Sequence, residues 1–96
     1  MVLEHALLDV RPTESTAFEA AFAEARQLIE RQHGFCSLRL ERSIGTAGRY
    51  LLLVEWERIE DHTEGFRRSA DYEDWRRLLH HFYDPMPLVE YFVAVD

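Results

Sequence analysis

Tyr50-Leu51-Leu52-Leu53-Val54-Glu55-Trp56-Glu57 is the stretch whose reading decides the fold. Side chains alternate across a strand, so Tyr50, Leu52, Val54 and Trp56 share one face. Leu51 and Leu53 share the other, ahead of Glu55 and Glu57. Most of the segment is therefore apolar on both sides. The closing stretch does the same, with Val89, Tyr91, Val93 and Val95 on one face and Leu88, Phe92 and Ala94 on the other. A one-layer antiparallel sheet with helices on one side normally has a polar outer face. Helices cover only one side of this sheet, and a large uncovered apolar patch is uncommon in a monomer and prone to aggregation. The pattern predicts a homodimer closed through the sheet face.

Upstream, Phe35 to Ile44 reads as a strand joined to Tyr50–Glu57 by the turn Gly45-Thr46-Ala47-Gly48, a hairpin. Val2 to Val10 is rich in strand formers and ends at Arg11-Pro12, where proline enforces a boundary. Thr13 is placed to cap a helix, with Glu14 favourable to its dipole. Phe18, Phe22, Ala25 and Ile29 recur at helical spacing, Ala21 and Leu28 widen the stripe, and Gly34 reads as the C′ residue that stops it. Downstream, a short helical stretch of about Ile59 to Arg68 precedes a fresh cap at Ser69-Ala70-Asp71. Tyr72, Trp75, Leu79 and Phe82 mark the apolar face of the next helix. Asp84-Pro85-Met86-Pro87 breaks it, and Leu88 to Val95 is the last strand. The order β-α-β-β-α-β is the ferredoxin-like α+β arrangement with a four-stranded antiparallel sheet, in one domain spanning residues 1–96.

The 96 residues suffice for one modest core, and 47% hydrophobic with 30% charged is ordinary for a globular chain. With 18 acidic against 11 basic side chains the net charge is −7, which argues against nucleic acid or an anionic membrane as the main partner. The cluster Arg67, Arg68, Arg76 and Arg77 has room for one anion. Cys36 is the only cysteine, so no intrachain disulfide forms, and a reducing cytoplasmic setting fits. Between Phe35 and Leu38 it reads as a small buried hydrophobe. The acidic start MVLEHALLDVRP has no basic n-region of a signal peptide. No apolar run approaches the ~20 residues of a membrane helix.

No glycine-rich phosphate loop, nucleophile elbow or cysteine pair occurs. None of the five histidines, His5, His33, His62, His80 and His81, stands at the i, i+4 spacing that puts two metal ligands on one helix face. The expectation is therefore no metal and no cofactor. The chemically informative stretch runs from Glu55 to Ser69. His62 and Phe66 share a helical face, and Trp75 lies on the following helix. An imidazole beside aromatic walls describes a small-molecule pocket with one titratable group. The competing reading makes Trp56, Phe66 and Trp75 plain core and has His62 fix a turn.

Tyr50–Trp56, then Trp56-Glu57, Glu60-Asp61-His62, Ser69 and the aromatic helix with Trp75, resemble the antibiotic biosynthesis monooxygenase (ABM) domain family. The Arg11-Pro12 turn followed by Phe18 and Phe22 is similar to its first half, and His81–Tyr91 resembles one branch of it. The resemblance covers nearly the whole chain. It implies the dimeric α+β barrel and, from characterised members, oxygenation of polyphenols with neither metal nor flavin. His62 would then be the base, Phe66, Trp75 and Trp56 the walls, and Arg67 a further substrate-binding residue. Haem-degrading branches use an Asn, a Trp and a His. Here Ala6 and Gly65 occupy the first two positions, and the third falls near Trp75-Arg76, so that set is absent. The alternative to an oxygenase is a non-catalytic dimeric module for an aromatic or lipid-like ligand, or a cyclase or isomerase on the same fold. The sequence also leads to the expectation that His62→Ala leaves melting temperature nearly unchanged.

Overall fold

Phe18, Phe22, Ala25 and Ile29 form the buried stripe of helix α1, Ser15–Glu30, in the computed structural model, which describes residues 1–96. Around it the chain runs β1 (Val2–Asp9), α1, β2 (Phe35–Arg42), β3 (Arg49–Trp56), α2 (Ala70–Leu79) and β4 (Val89–Phe92). The strands form one antiparallel sheet in the order β2-β3-β1-β4, the ferredoxin-like arrangement. Both helices lie on one face. Beneath them sit Glu4, Ala6 and Leu8 of β1, Leu38 of β2, and Tyr50, Leu52, Val54 and Trp56 of β3, all buried. No helix is long and apolar enough to cross a membrane.

The opposite sheet face carries Leu3, His5 and Leu7 of β1, Leu51 and Leu53 of β3, and Phe92 of β4, brought side by side by the register. Leu7 is 45% exposed, Phe92 46% and the flanking Leu88 76%, so this face is apolar and uncovered in the protomer. Glu90, Arg39 and Glu41 ring it.

Several boundaries differ from the sequence reading, each for a local reason. The last strand ends at Phe92 rather than Val95, because Leu3 pairs with Phe92 and of β1 only Val2 remains beyond that pair. Val93 and Val95 are left exposed. Thr13 does not cap α1. A 3₁₀ turn, Pro12–Glu14, leads into the helix, and the Glu14 carboxylate is taken by Arg11. Cys36 is exposed, not buried, because a bulge between Phe35 and Ser37 turns it out of the strand's alternation. Ser69 caps α2 as read, its Oγ accepting the Tyr72 N–H at 3.1 Å.

Gly34 is not the C′ residue, since α1 already ends at Glu30 with Arg31 as its cap. Its backbone has φ +82° and its carbonyl accepts the Glu57 N–H at 2.8 Å. A methyl group there would land on the buried Asp61 carboxylate, whose Oδ2 accepts the Arg58 N–H at 3.1 Å. Left-handed backbone and a close approach both require glycine. Gly34→Ala is expected to cost about 1–3 kcal/mol in urea unfolding. An unchanged midpoint would mean that the Asp61 turn yields freely.

Candidate functional site

Between β3 and α2 the chain makes a wide π-helical turn, Asp61–Phe66, closed by the Arg67 N–H donating to the His62 carbonyl at 3.0 Å. Such turns are rare and frequent at functional sites. This one turns His62 and Phe66 inward together, with ring centroids 6.3 Å apart. His62 is 4% exposed and stacks on the Trp56 indole at 5.5 Å. Phe66 meets Trp75 edge to face at 5.5 Å, and Trp75 meets Phe22 likewise at 5.9 Å.

Both imidazole nitrogens have neighbours. Nδ1 lies 2.5 Å from the Tyr91 hydroxyl on β4, and Nε2 lies 3.4 Å from Oε1 of Glu4 on β1. The same carboxylate oxygen accepts the Trp56 indole N–H at 2.9 Å. Glu4 is 4% exposed. Four side chains from four segments thus form one polar chain, Tyr91–His62–Glu4–Trp56, buried except at the half-buried Tyr91.

The chain borders a cavity of about 100 Å³ between sheet and helices. Glu4 and His62 line its polar side, Phe66 and Trp75 its aromatic side, and Arg67 and Met86 also line it. Of the residues read from the sequence, His62, Phe66, Trp75 and Arg67 therefore meet at one cavity. Trp56 does not line it. The indole stands one layer behind, fully buried, and supports His62 and Glu4. Glu4 and Tyr91 escaped the sequence reading. The available signal was the alternation of β1, in which Glu4 shares the inward side with Ala6 and Leu8 and is its single acidic member.

Burial sets the electrostatics. It pushes the Glu4 carboxyl up to about 7 from an ordinary 4.5, against the pull of the Trp56 hydrogen bond and the Arg67 charge. It pulls His62 down to about 4 from 6.5, and Arg67 adds to the effect. Burial also raises the Tyr91 hydroxyl and lowers His80. Near neutrality His62 is therefore uncharged. The neutral pair and the ion pair hold the same single proton, and the desolvated setting favours the neutral form.

Linkage gives a testable sign. A raised carboxyl contributes stability below its unfolded value of 4.5 and loses it as pH rises through about 7. The depressed His62 contributes above 6.5 and loses stability as pH falls through about 4. Glu4→Gln keeps an acceptor for Trp56 and cannot ionise. Its unfolding free energy relative to the wild type should rise between mildly acidic and mildly alkaline pH in urea titrations. A difference independent of pH would remove the raised carboxyl from the account.

The comparisons with known proteins agree over the whole fold. A family model described as antibiotic biosynthesis monooxygenase matches residues 1–78. Protein YczJ of Bacillus subtilis (strain 168), itself uncharacterized, is 46% identical over 95 residues, covering 99% of this chain and 100% of its own. A solved Bordetella bronchiseptica structure bearing the same family name is 37% identical with a TM-score of 0.92, covering 98% of this chain and 96% of that one. SnoaB from Streptomyces nogalater, a cofactor-independent oxygenase, is 20% identical with a TM-score of 0.83 over 99% of this chain and 93% of its own. At that identity the likeness is one of fold. With the family model over more than half its length and close relatives over nearly all of it, the chain belongs to the antibiotic biosynthesis monooxygenase family.

Proposed function

We propose that the protein is a cofactor-independent monooxygenase of the cytoplasm that oxidises a small phenolic substrate and works as a homodimer. The observation that carries the reading is a buried acid–base pair, His62 and Glu4, bordering an aromatic-walled cavity. The chemistry asks little more of a protein. Removing the phenolic proton leaves an electron-rich anion, which reduces oxygen by one electron. The radical pair joins at a ring carbon to give a peroxide. Loss of water across the new C–O bond, with the ring C–H proton and the outer oxygen departing, leaves a carbonyl. One oxygen atom enters the product and the other leaves as water, with all electrons supplied by the substrate. The protein holds the ring, takes and returns a proton, and limits water.

Size argues for a single ring. At about 100 Å³ the cavity is smaller than the roughly 150 Å³ void that accepts benzene. A hydroxyl-bearing edge enters, and the remainder of the ring rests at the mouth, where the exposed Arg67 and Met86 stand.

The homodimer rests on the uncovered sheet face with Leu7, Leu53 and Phe92.

The test is oxygen uptake by protein verified free of metal by elemental analysis and free of haem and flavin by absorbance, with monocyclic hydroquinones as substrates. Uptake above the uncatalysed rate supports the reading. Binding without uptake favours a ligand-binding module. Stoichiometric iron, or activity that follows it, contradicts the cofactor-free route.

A further inference from the structure

We propose that Glu4, and not His62, is the residue that receives the proton of a hydroxyl group bound in this cavity, with His62 and Trp56 as positioning residues that hold it. The inference rests on the reading of the cavity as a phenol site and names the group that does its acid–base work.

The occupancy of the polar atoms is the first ground. For His62 to take a substrate proton, one of its nitrogens must leave Tyr91 or turn from Glu4, at 2.5 and 3.4 Å. Stacking on Trp56 and near-complete burial hold the ring in place. Glu4 is different. Its Oε1 takes the Trp56 N–H, while its Oε2 receives no hydrogen bond from the protein, and the residue lines the cavity. The side chain is only 6% exposed, so the oxygen that the protein leaves unpartnered is open to a hydroxyl bound in the cavity.

The charges around Glu4 agree. His62 faces it from the π turn, Trp56 from β3 and Tyr91 from β4, while Tyr72, His80 and Tyr83 stand on the other walls and Arg67 completes the lining. Burial keeps His62 neutral, and its Nε2 can present a hydrogen to the Glu4 carboxylate. Arg67 is then the cation available to the phenolate that proton transfer leaves behind. A carboxyl raised to about 7 is well matched to proton exchange at neutral pH, whereas an imidazole lowered to about 4 is a weak base there. In the transfer the substrate O–H bond breaks, its electron pair stays on oxygen, and the proton goes to Oε2. Glu4 returns it to the departing oxygen, completing water.

The test uses the full-length protein slightly above pH 7, where free Glu4 is mostly ionised, and 4-cyanophenol, a weaker acid than 4-nitrophenol whose anion absorbs at longer wavelength than its neutral form. The wild type should bind the probe as its anion at a pH where free probe is mostly neutral. In protein labelled with ¹³C-glutamate, the Glu4 carboxyl signal should move to its protonated position in the complex. Glu4→Gln should bind the probe as the neutral phenol, and His62→Gln should still ionise it with a displaced midpoint. In hydroquinone turnover Glu4→Gln should lower oxygen uptake about a hundredfold and abolish the inflection near 7. Anionic probe in Glu4→Gln, neutral probe in the wild type, or no binding to the wild type each overturns the assignment. Should Glu4→Gln not fold, the wild-type titration decides, since a Glu4 carboxyl titrating in the ordinary carboxylate range also overturns it. Probe ionisation at Glu4 without any oxygen uptake would instead remove the oxygenase reading and leave the acid–base assignment standing.

Discussion

His62→Gln is expected to fold and to consume oxygen with a monocyclic hydroquinone about a hundredfold more slowly than the wild type. The loss follows whether the imidazole takes the proton itself or holds Glu4 in place, because the ring is common to both contacts, Tyr91 at 2.5 Å and Glu4 at 3.4 Å. Glutamine retains one donor and one acceptor for those neighbours. Alanine does not. His62→Ala empties a buried site beside Trp56 and takes a neighbour from the buried Glu4 and the half-buried Tyr91, so it should also cost about 2–4 kcal/mol of stability. The sequence expectation of an unchanged melting temperature for this variant is therefore revised by the burial of the ring. His33, exposed after the first helix, is the control, and His33→Ala should alter neither rate nor stability. Full turnover in His62→Gln would show that the imidazole neither takes the proton nor holds Glu4 for it.

The second large effect is on assembly. Leu53→Lys places a charge amid Leu3, His5 and Leu51 on the uncovered sheet face. Sedimentation of the wild type at micromolar concentration should give about twice the 11.4 kDa protomer mass, and the variant should sediment at the protomer mass with its circular dichroism retained. Burying an unpaired ammonium in an apolar interface costs several kcal/mol, enough to dissociate most dimers of this size. The inner core built on Val54 and Trp56 is untouched by the change, so folding should survive. A monomeric wild type would contradict the homodimer outright.

The parts of the fold legible in the sequence are those governed by local periodicity. The alternation of Tyr50–Glu57, the stripe Phe18-Phe22-Ala25-Ile29 and the cap at Ser69 each report their own environment, and all reappear in the structure. Features set by distant pairing were not legible. Tyr91 stands opposite Glu4 only through the β1–β4 register, and Trp56 reaches Glu4 from a strand far away in the chain. No spacing within either segment announces that meeting. The length of β4 depends on where β1 begins, and the exposure of Cys36 on a bulge, so neither follows from hydrophobic pattern alone. The candidate site divides in the same way. His62, Phe66, Arg67 and Trp75 lie within a short stretch and were found together. The carboxylate that lies against His62 stands near the start of the chain and was missed.

On this reading the residues around His62 let a phenol reduce oxygen unaided. Labelling with ¹⁸O₂ tests it most directly. Protein free of metal, haem and flavin is given a monocyclic hydroquinone under ¹⁸O₂, and product and water are analysed by mass spectrometry. The account predicts one labelled oxygen in the quinone product and one in water for each substrate consumed, at a rate that falls about a hundredfold in His62→Gln. Product without the label, or a rate no greater than that of the hydroquinone alone in buffer, would contradict it.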